Sequence, residues 1–450
     1  MRPDLAARYA DERLPRYTSY PTAPQFSPAV GPQRYGSWVA DLPAGVRGSL
    51  YVHIPFCRRM CWYCGCNTSV AVRHDPIEAY LHALSQEIGL VARRIAKPPE
   101  IAHLHFGGGT PTIVKPYEFQ RLLGQLRSAY DVARSAEIAI EIDPCALSAE
   151  MAATLGEAGV TRASLGVQSL DPAVQAAINR HQSHDDTALA VDRLRAAGIG
   201  GINIDLVYGL PGQTVASCVA TVRACATLGP DRFSVFGYAH VPSFKRHQRK
   251  IDEATLPTGA ERSAQAEAIA AELEGLGYRR IGLDHFARPE DAMARAADSG
   301  RLHRNFQGYT TDDADVLIGL GASAIGRLPQ GFVQNSAVTR DYQAAISAGR
   351  LATVRGCALG PDDRLRGALI ERLMCDFRVD VAAVCRRHGK DAGAVADAIP
   401  ALDRLAADGI LRRDGWLVEM APEARSLVRV AAAAFDAYRA GSSAVHSRAV

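Results

Sequence analysis

Most of what this 450-residue chain lacks narrows its chemistry. It has no excess of charge: 51 lysines and arginines stand against 48 aspartates and glutamates, a formal net charge of +3. No broad basic field is available for nucleic acid, so an acidic ligand must be met by local groups. Long apolar runs are absent, and none reaches the roughly 20 residues that span a bilayer. The opening MRPDLAARYADERLPRY is charged and has no secretory apolar core. Cysteine is scarce, ten in all, too few for a disulfide-stapled scaffold of this length. Neither the phosphate fingerprint G-x4-G-K-[ST] nor the dinucleotide fingerprint G-x-G-x-x-G occurs. With no leader and with thiols to keep reduced, the expected compartment is the cytoplasm. A chain this long exceeds one ordinary core, and two or three domains are expected.

Against that scarcity, four cysteines fall within ten residues. Cys57, Cys61, Cys64 and Cys66 stand in CRRMCWYCGC, and the first three follow C-x3-C-x2-C. Thiolates select zinc, copper(I) or iron–sulfur clusters. Three sulfur anchors would leave one iron of a 4Fe–4S cluster open to a substrate or cofactor. A zinc knuckle pairs C-x2-C with a second Cys/His pair, but the only C-x2-C here is Cys61–Cys64. Iron–sulfur is therefore the leading reading, with structural zinc and inert thiols as alternatives.

Along the chain, short apolar runs alternate with amphipathic stretches. Strands are expected at 50–56, 101–106, 137–143, 162–168, 201–209 and 232–239. Helices are expected at 77–95, 116–130, 148–159, 184–198 and 215–229, with Pro116 in a first turn and Ser148 as an N-cap. Six strand–helix units imply a parallel α/β sheet, either open or curled like a barrel. Ligands then gather at the carboxyl ends of the strands. A further helix is expected at 261–277, and 278–336 reads as short strands and glycine loops. From about residue 357, three helices and a hairpin suggest a small winged-helix-like domain or a plain helical cap.

Several strand ends carry candidate groups. HFGGGTPT (105–112) follows the second strand, and its glycines permit close approach of a ligand. The loop could offer carbonyls to an ammonium and amides to a carboxylate, or be only a tight turn. Glu141, Gln168, Arg180 and Asp205 stand near the ends of later strands, as a large polar ligand would need. Lys245, Arg246, Arg249 and Lys250 form a basic run that reads either as a solvated face or as carboxylate recognition. Arg288 and Arg304 are further cationic candidates.

The cysteine loop, with Tyr63 before Cys64, and GGGTP on the second strand resemble the motifs of radical S-adenosylmethionine enzymes. RYTSYPTA, YVHIPFC, the C-x-C of Cys64 and Cys66, GVQS, DLVYGLPGQT, YAHVPS, DHFARPED and LHRNFQGYTT narrow this. Together they resemble the bacterial oxygen-independent coproporphyrinogen III oxidases over nearly the whole chain. The resemblance implies a partial (β/α)6 TIM-like barrel of parallel strands at 46–355. It implies an N-terminal arm at 1–45 covering the site and a helical, winged-helix-like domain at 356–450. It also implies a 4Fe–4S cluster on Cys57, Cys61 and Cys64 and one or two S-adenosylmethionine molecules. Tyr51, Gly108 and Glu141 would hold the cluster-bound molecule. Tyr63, Gly109, Thr110, Gln168, Arg180, Asp205, Ala239 and Ile325 would surround a second molecule or the cluster. Cys66 would be required without being a ligand.

The implied reaction is anaerobic oxidative decarboxylation of two propionates of coproporphyrinogen III to vinyl groups, giving protoporphyrinogen IX through a 5′-deoxyadenosyl radical. Tyr20, in an arm expected to fold over the site, is a candidate for substrate sensing. Arg249, Arg288 and Arg304 are candidates for the propionates. The partners expected are this substrate and an unidentified electron donor and acceptor, with the chain a monomer. A haem-carrying relative, a radical methylase or haem-degrading relative on the same scaffold and a zinc-binding interaction protein remain alternatives, although Cys66 and YTSYPTA favour the oxidase.

Overall fold

The computed structural model describes Tyr9 and residues 12–439. Residues 1–8, 10 and 11 of the expected arm, and 440–450 of the expected C-terminal domain, lie outside the described residues. Six parallel strands follow one another in sequence and in space: β1 (Arg47–Ile54), β2 (Glu100–Gly108), β3 (Asp131–Ile142), β4 (Arg162–Gln168), β5 (Gly201–Tyr208) and β6 (Arg232–Gly237). Parallel neighbours need a crossover. The helices Asp75–Ala92, Pro116–Ala129, Ala149–Glu157, His184–Ala196 and Val215–Ala226 supply it. Ser148 caps its helix by accepting from the Met151 amide at 3.0 Å.

Two additions extend the sheet. Beyond β6 lie the antiparallel β7 (Arg279–Ile281) and β8 (His285–Ala287), with β8 next to β6. On the far side of β1, β9 (Val316–Leu320) pairs in parallel. The antiparallel β10 (Ile325–Leu328), β11 (Gly331–Asn335) and β12 (Thr353–Ala358) complete that edge. The order is β12-β11-β10-β9-β1-β2-β3-β4-β5-β6-β8-β7, so the sheet stays open between β12 and β7. This is the partial barrel expected, enlarged by a seventh parallel strand. In sequence β9 falls within the stretch read as short strands and glycine loops, and its parallel pairing with β1 leaves no local signal.

The two faces of the sheet differ in chemistry. Outward residues such as Ile138, Ile140, Leu165, Ile202, Ile204 and Phe233 are almost wholly buried against the helices. At alternate positions Glu137, Glu141, Arg162, Ser164, Asn203, Asp205, Arg232 and Ser234 line an interior cavity. A barrel with a polar lumen cannot close into the apolar side-chain layers of a packed TIM barrel. It is built to hold something polar.

Beyond the sheet, the helices Pro361–Asp376, Val381–Arg387 and Ile399–Ala407 precede a hairpin, Leu411–Asp414 and Leu417–Met420. Arg378–Asp380 pairs with the second hairpin strand to make a three-stranded antiparallel sheet. A separate apolar cluster holds these elements, including Leu369, Leu373, Val384, Leu402 and Phe435, and Leu14, Tyr17 and Tyr20 of the arm enter it. The Tyr17 hydroxyl donates to Asp436 at 3.0 Å, and the Tyr20 hydroxyl accepts from the Ala437 amide at 3.0 Å.

Candidate active site

The chain leaves β1 at Ile54 and enters the cysteine loop on the carboxyl rim of the barrel. Phe56–Cys57 pairs with Ser69–Val70, closing the loop at its base. The loop is fastened from outside. Trp62 donates to the Ile178 carbonyl at 2.9 Å, and Asn179 Nδ2 donates to Met60 O at 2.9 Å. The basic run beyond β6 supplies the remaining anchors. Lys245 Nζ donates to Cys66 O at 2.8 Å, His247 Nε2 lies 2.7 Å from Cys64 O, and Gln248 Nε2 donates to Tyr63 O at 3.0 Å. Lys250 lies over the Trp62 ring, whereas Arg249 is exposed. Part of the run expected to be a solvated face or a carboxylate site is thus a clamp on the cysteine loop.

All four cysteines carry free thiols and line one cavity of about 510 Å³. The hydroxyls of Thr68 and Thr110 lie 3.3 and 3.5 Å from Cys57 Sγ. Arg180 Nη1 donates to Cys61 Sγ at 3.7 Å. A hydrogen bond from the Cys66 thiol, aided by His247 and Lys245, pushes the Cys64 thiol down to about 6. That same bond holds Cys66 well above the ordinary thiol value. Cys64 is therefore the thiolate of the pair and Cys66 its donor. Burial pushes Cys57 and Cys61 up.

The glycines at the end of β2 form a shelf against this loop. Gly108 has φ +123°, and a Cβ there would lie 2.8 Å from Ile54 O. A Cβ on Gly109 would lie 2.5 Å from both Phe56 O and Thr68 Oγ1. Only bare backbone fits. The amides of the shelf are already committed: Gly108 to Glu141 Oε2 at 3.0 Å, Gly109 to Ile54 O at 2.9 Å and Thr110 to Phe56 O at 2.8 Å. The expectation that these amides would meet a carboxylate is corrected, because strand pairing and Glu141 consume them. The shelf can offer a ligand carbonyls, the groups an ammonium needs.

Glu141 closes the shelf from β3. Burial alone would raise its carboxyl, but His105, 3.3 Å from Oε1, and the Gly108 amide outweigh burial and hold it below the usual carboxylate value. Asp205 on β5 behaves oppositely. Burial raises it despite bonds from Ser164 and Asn203, each at 2.8 Å. Gln168 ends β4 with φ +71°, a strained value for a side-chain-bearing residue and common at sites. Arg180 bridges Gly166 O, Asp143 at 3.3 Å and Gln182 at 2.9 Å. Tyr63 and Ala239 complete the wall. The structure thus brings Tyr63, Gly108, Gly109, Thr110, Glu141, Gln168, Arg180, Asp205 and Ala239 to the cavity that holds the cysteines.

Other candidates lie elsewhere. Tyr51 sits behind the shelf, its hydroxyl 2.9 Å from His53 Nδ1, and does not line the cavity. Ile325 lies on β10 with its carbonyl against Gly319, also outside the lining. Tyr20 is turned away into the C-terminal core, because its ring finds apolar partners there; of the arm, Arg16 reaches the cavity instead. Arg288 is corrected most plainly. β8 runs antiparallel to β6 and carries the chain to the amino end of β6, where Arg288 Nε donates to Pro230 O at 3.1 Å. At that end Asp291 accepts from Arg232 at 2.7 Å, whereas His285 lines the cysteine cavity and Asp284 the neighbouring one. Arg304 is deeply buried over the Tyr309 ring and faces a neighbouring cavity. His105, Thr68, His247 and Gln248 were missed. Only His105 left a local signal, by alternating with His103 on a strand that ends at the shelf.

The donor set fits a cluster. Among the described residues no three His, Cys, Asp or Glu side chains are set as ligands of one ion. Three thiols instead face a shared cavity with hydrogen bonds aimed at their sulfurs, the type of contact that tunes iron–sulfur sites.

Similarity to known proteins agrees with this geometry. Residues 51–225 match the Radical SAM superfamily. An oxygen-independent coproporphyrinogen III oxidase of Bradyrhizobium diazoefficiens is 56% identical over 450 residues, 100% of both chains. That of Escherichia coli K12 is 40% identical over 425 residues, 94% of this chain and 93% of its own. The solved Escherichia coli coproporphyrinogen III oxidase, described as a radical SAM enzyme, superposes with a TM-score of 0.90 at 38% identity, covering 95% of this chain and 100% of that one. By its cysteine loop, its polar-lumened partial barrel and full-length identity to these relatives, this chain belongs to the oxygen-independent coproporphyrinogen III oxidases of the radical S-adenosylmethionine superfamily.

Proposed function

We infer that this chain oxidatively decarboxylates two propionates of coproporphyrinogen III to vinyl groups, giving protoporphyrinogen IX for haem biosynthesis without oxygen. The observation that carries the reading is the meeting of three free thiols, a carbonyl-bearing glycine shelf and Glu141 around one polar cavity. Cys57, Cys61 and Cys64 would hold a 4Fe–4S cluster; Tyr51, Gly108 and Glu141 would serve one S-adenosylmethionine. Tyr63, Gly109, Thr110, Gln168, Arg180, Asp205, Ala239 and Ile325 would serve the cluster or a second molecule. When bound, these groups supply the one-electron chemistry that removes hydrogen from the propionate carbon β to the carboxylate.

The protein's own share is placement and shielding. Glu141, kept ionised by His105 and the Gly108 amide, is a fixed acceptor for hydroxyl or ammonium donors. Asp205, whose proton affinity burial raises, is a second acceptor deeper in the lumen. Arg180 fixes the Cys61 sulfur against the strand ends. Cys66, whose thiol its bond to Cys64 holds well above the ordinary value, would stay out of the ligand set. We take residues 1–45, 46–355 and 356–450 as arm, barrel and C-terminal domain. The chain is taken to act as a cytoplasmic monomer with separate electron donor and acceptor. Among the described residues no helix is long and apolar enough to cross a membrane. The test is anaerobic incubation with coproporphyrinogen III, a reductant and S-adenosylmethionine. Protoporphyrinogen and 5′-deoxyadenosine are expected, and a reconstituted protein that forms neither refutes the reading.

A further inference from the structure

A second cavity, of about 730 Å³, lies across the carboxyl end of β6 from the cysteine cavity. The two share Arg16, Phe236, Gly237, Tyr238 and Ala239 as a common wall. Its volume falls within the roughly 300–1,000 Å³ of ligand sites. Its lining draws on the arm, the β7–β8 extension and the C-terminal domain together, through Arg13, Arg16, Arg262, Arg280, Arg304 and Arg429. Among the described residues, the carboxylates in the lining are Glu253 and Asp284, and Glu267 lies 3.7 Å from Arg280. Glu253 is 71% exposed and pairs with His240 at 3.0 Å. Asp284 is bound to His285 at 2.8 Å and lies 3.9 Å from Arg304.

Several of these arginines meet neutral carbonyls. Arg16 donates to Gly237 O at 3.2 Å, Arg304 to Arg16 O at 3.5 Å, and Arg429 to the carbonyls of Pro15 and Leu14. Arg304 Nε and Nη1 and Arg280 Nε are buried without a hydrogen-bond partner, and the Arg304 side chain is only 5% exposed. Burial, with Arg16 and Arg304 beside it, pushes the Arg429 guanidinium down to about 10, as crowding of like charges does. Buried positive charge is costly unless an anion joins it. Guanidinium forks match the paired oxygens of carboxylates, and of phosphates, bidentately.

We propose that this arginine-lined cavity seats the propionate carboxylates of the tetrapyrrole that are not reacting, while the reacting propionate passes the shared wall toward the cysteine cavity. The assignment rests on the decarboxylase reading above. It keeps Arg304, adds Arg280 and sets aside Arg249 and Arg288 as the groups that meet carboxylate.

Anaerobically reconstituted holoenzyme is titrated with coproporphyrin III, the stable oxidised form of the ring, by fluorescence. Arg280→Gln and Arg304→Gln each raise Kd about tenfold, which is ~1.4 kcal/mol. Arg280→Lys, which keeps the charge, recovers part of the loss. The tetramethyl ester of coproporphyrin, with no carboxylate, binds wild type and variants alike. Arg280 is only partly buried, so its variant carries the test if Arg304→Gln misfolds. The proposal is overturned if both variants, with cluster absorbance intact, bind coproporphyrin III within about twofold of wild type. It is equally overturned if they lower the stoichiometry of bound S-adenosylmethionine instead, since that would assign the arginines to the amino acid's carboxylate. Wild type that turns over coproporphyrinogen while the variants bind normally sinks this assignment alone. Wild type that neither binds nor turns over the tetrapyrrole sinks the decarboxylase reading with it.

Discussion

Replacing Gly109 with alanine tests whether the glycine shelf sets the position of the cysteine loop. The new methyl would stand 2.5 Å from Phe56 O and 2.5 Å from Thr68 Oγ1. Thr68 can turn aside, but the Phe56 carbonyl is backbone and already accepts the Thr110 amide at 2.8 Å. That carbonyl must withdraw by roughly 0.5–1 Å before the contact becomes tolerable. Cys57 is the next residue and moves with it. Overpacking of this kind costs about 1–3 kcal/mol, and a displacement near 1 Å at a reacting centre costs on the order of 10²-fold in rate. Gly109→Ala should therefore melt earlier, retain less iron and sulfide after anaerobic reconstitution, and lose most S-adenosylmethionine cleavage. Gly124→Ala is the control. Gly124 is exposed in the helix Pro116–Ala129 with nothing within 4 Å of a new Cβ. Helix propensity predicts that change to be stabilising by up to about 1 kcal/mol. A Gly109→Ala protein with a full iron complement and near-normal cleavage would refute the argument.

Other outcomes follow from neighbouring contacts. Cys61→Ser should abolish the brown chromophore of the reconstituted protein while Cys66→Ser spares it; absorbance and iron analysis decide, and loss of the cluster in Cys66→Ser would make Cys66 a ligand. Gln248 is fully buried and bonds Tyr63 O, Ala239 O and the Val241 amide. Gln248→Ala leaves these groups unsatisfied at about 1–3 kcal/mol, and a chelator challenge should strip iron from it faster than from wild type. Glu87 is buried between the helix Asp75–Ala92 and β11, accepting from Gly321, Tyr342 and Asn335. Burial raises its carboxyl from 4.5 to about 7. The folded chain then holds that proton more tightly than the unfolded one. The stabilisation is complete below the unfolded value and is lost as pH rises through about 7, roughly 3 kcal/mol in all. Urea titrations between about pH 4.5 and 7 should show the slope in wild type and its absence in Glu87→Gln.

The six-unit alternation was legible because each strand is a short apolar run and each helix keeps one apolar face, both local signals. RASLGVQ ends at Gln168 in the structure as in the reading of the chain. Ser148 caps as its position foretold. β9 escaped because its partner, β1, is more than two hundred residues away, and pairing at that distance leaves no periodicity nearby. Among site residues, those just past a strand end were legible, since parallel topology sends every such residue to one rim. Arg288 was misplaced because an antiparallel addition reverses which end of a strand faces the site. His247 and Gln248 were illegible as loop anchors because their hydrogen bonds cross about 185 positions.

The order of residues alone therefore narrowed the cofactor chemistry to a thiolate-held centre, with iron–sulfur leading, and gave the barrel's repeating unit. Sulfur spacing and hydrophobic period are properties of adjacent residues and survive without a fold. Tertiary structure alone decided which arginines share a cavity, why the shelf offers carbonyls and not amides, and which thiol of the Cys64–Cys66 pair keeps its proton. Those outcomes depend on burial and on partners brought together across the chain, where desolvation and hydrogen-bond competition set the balance.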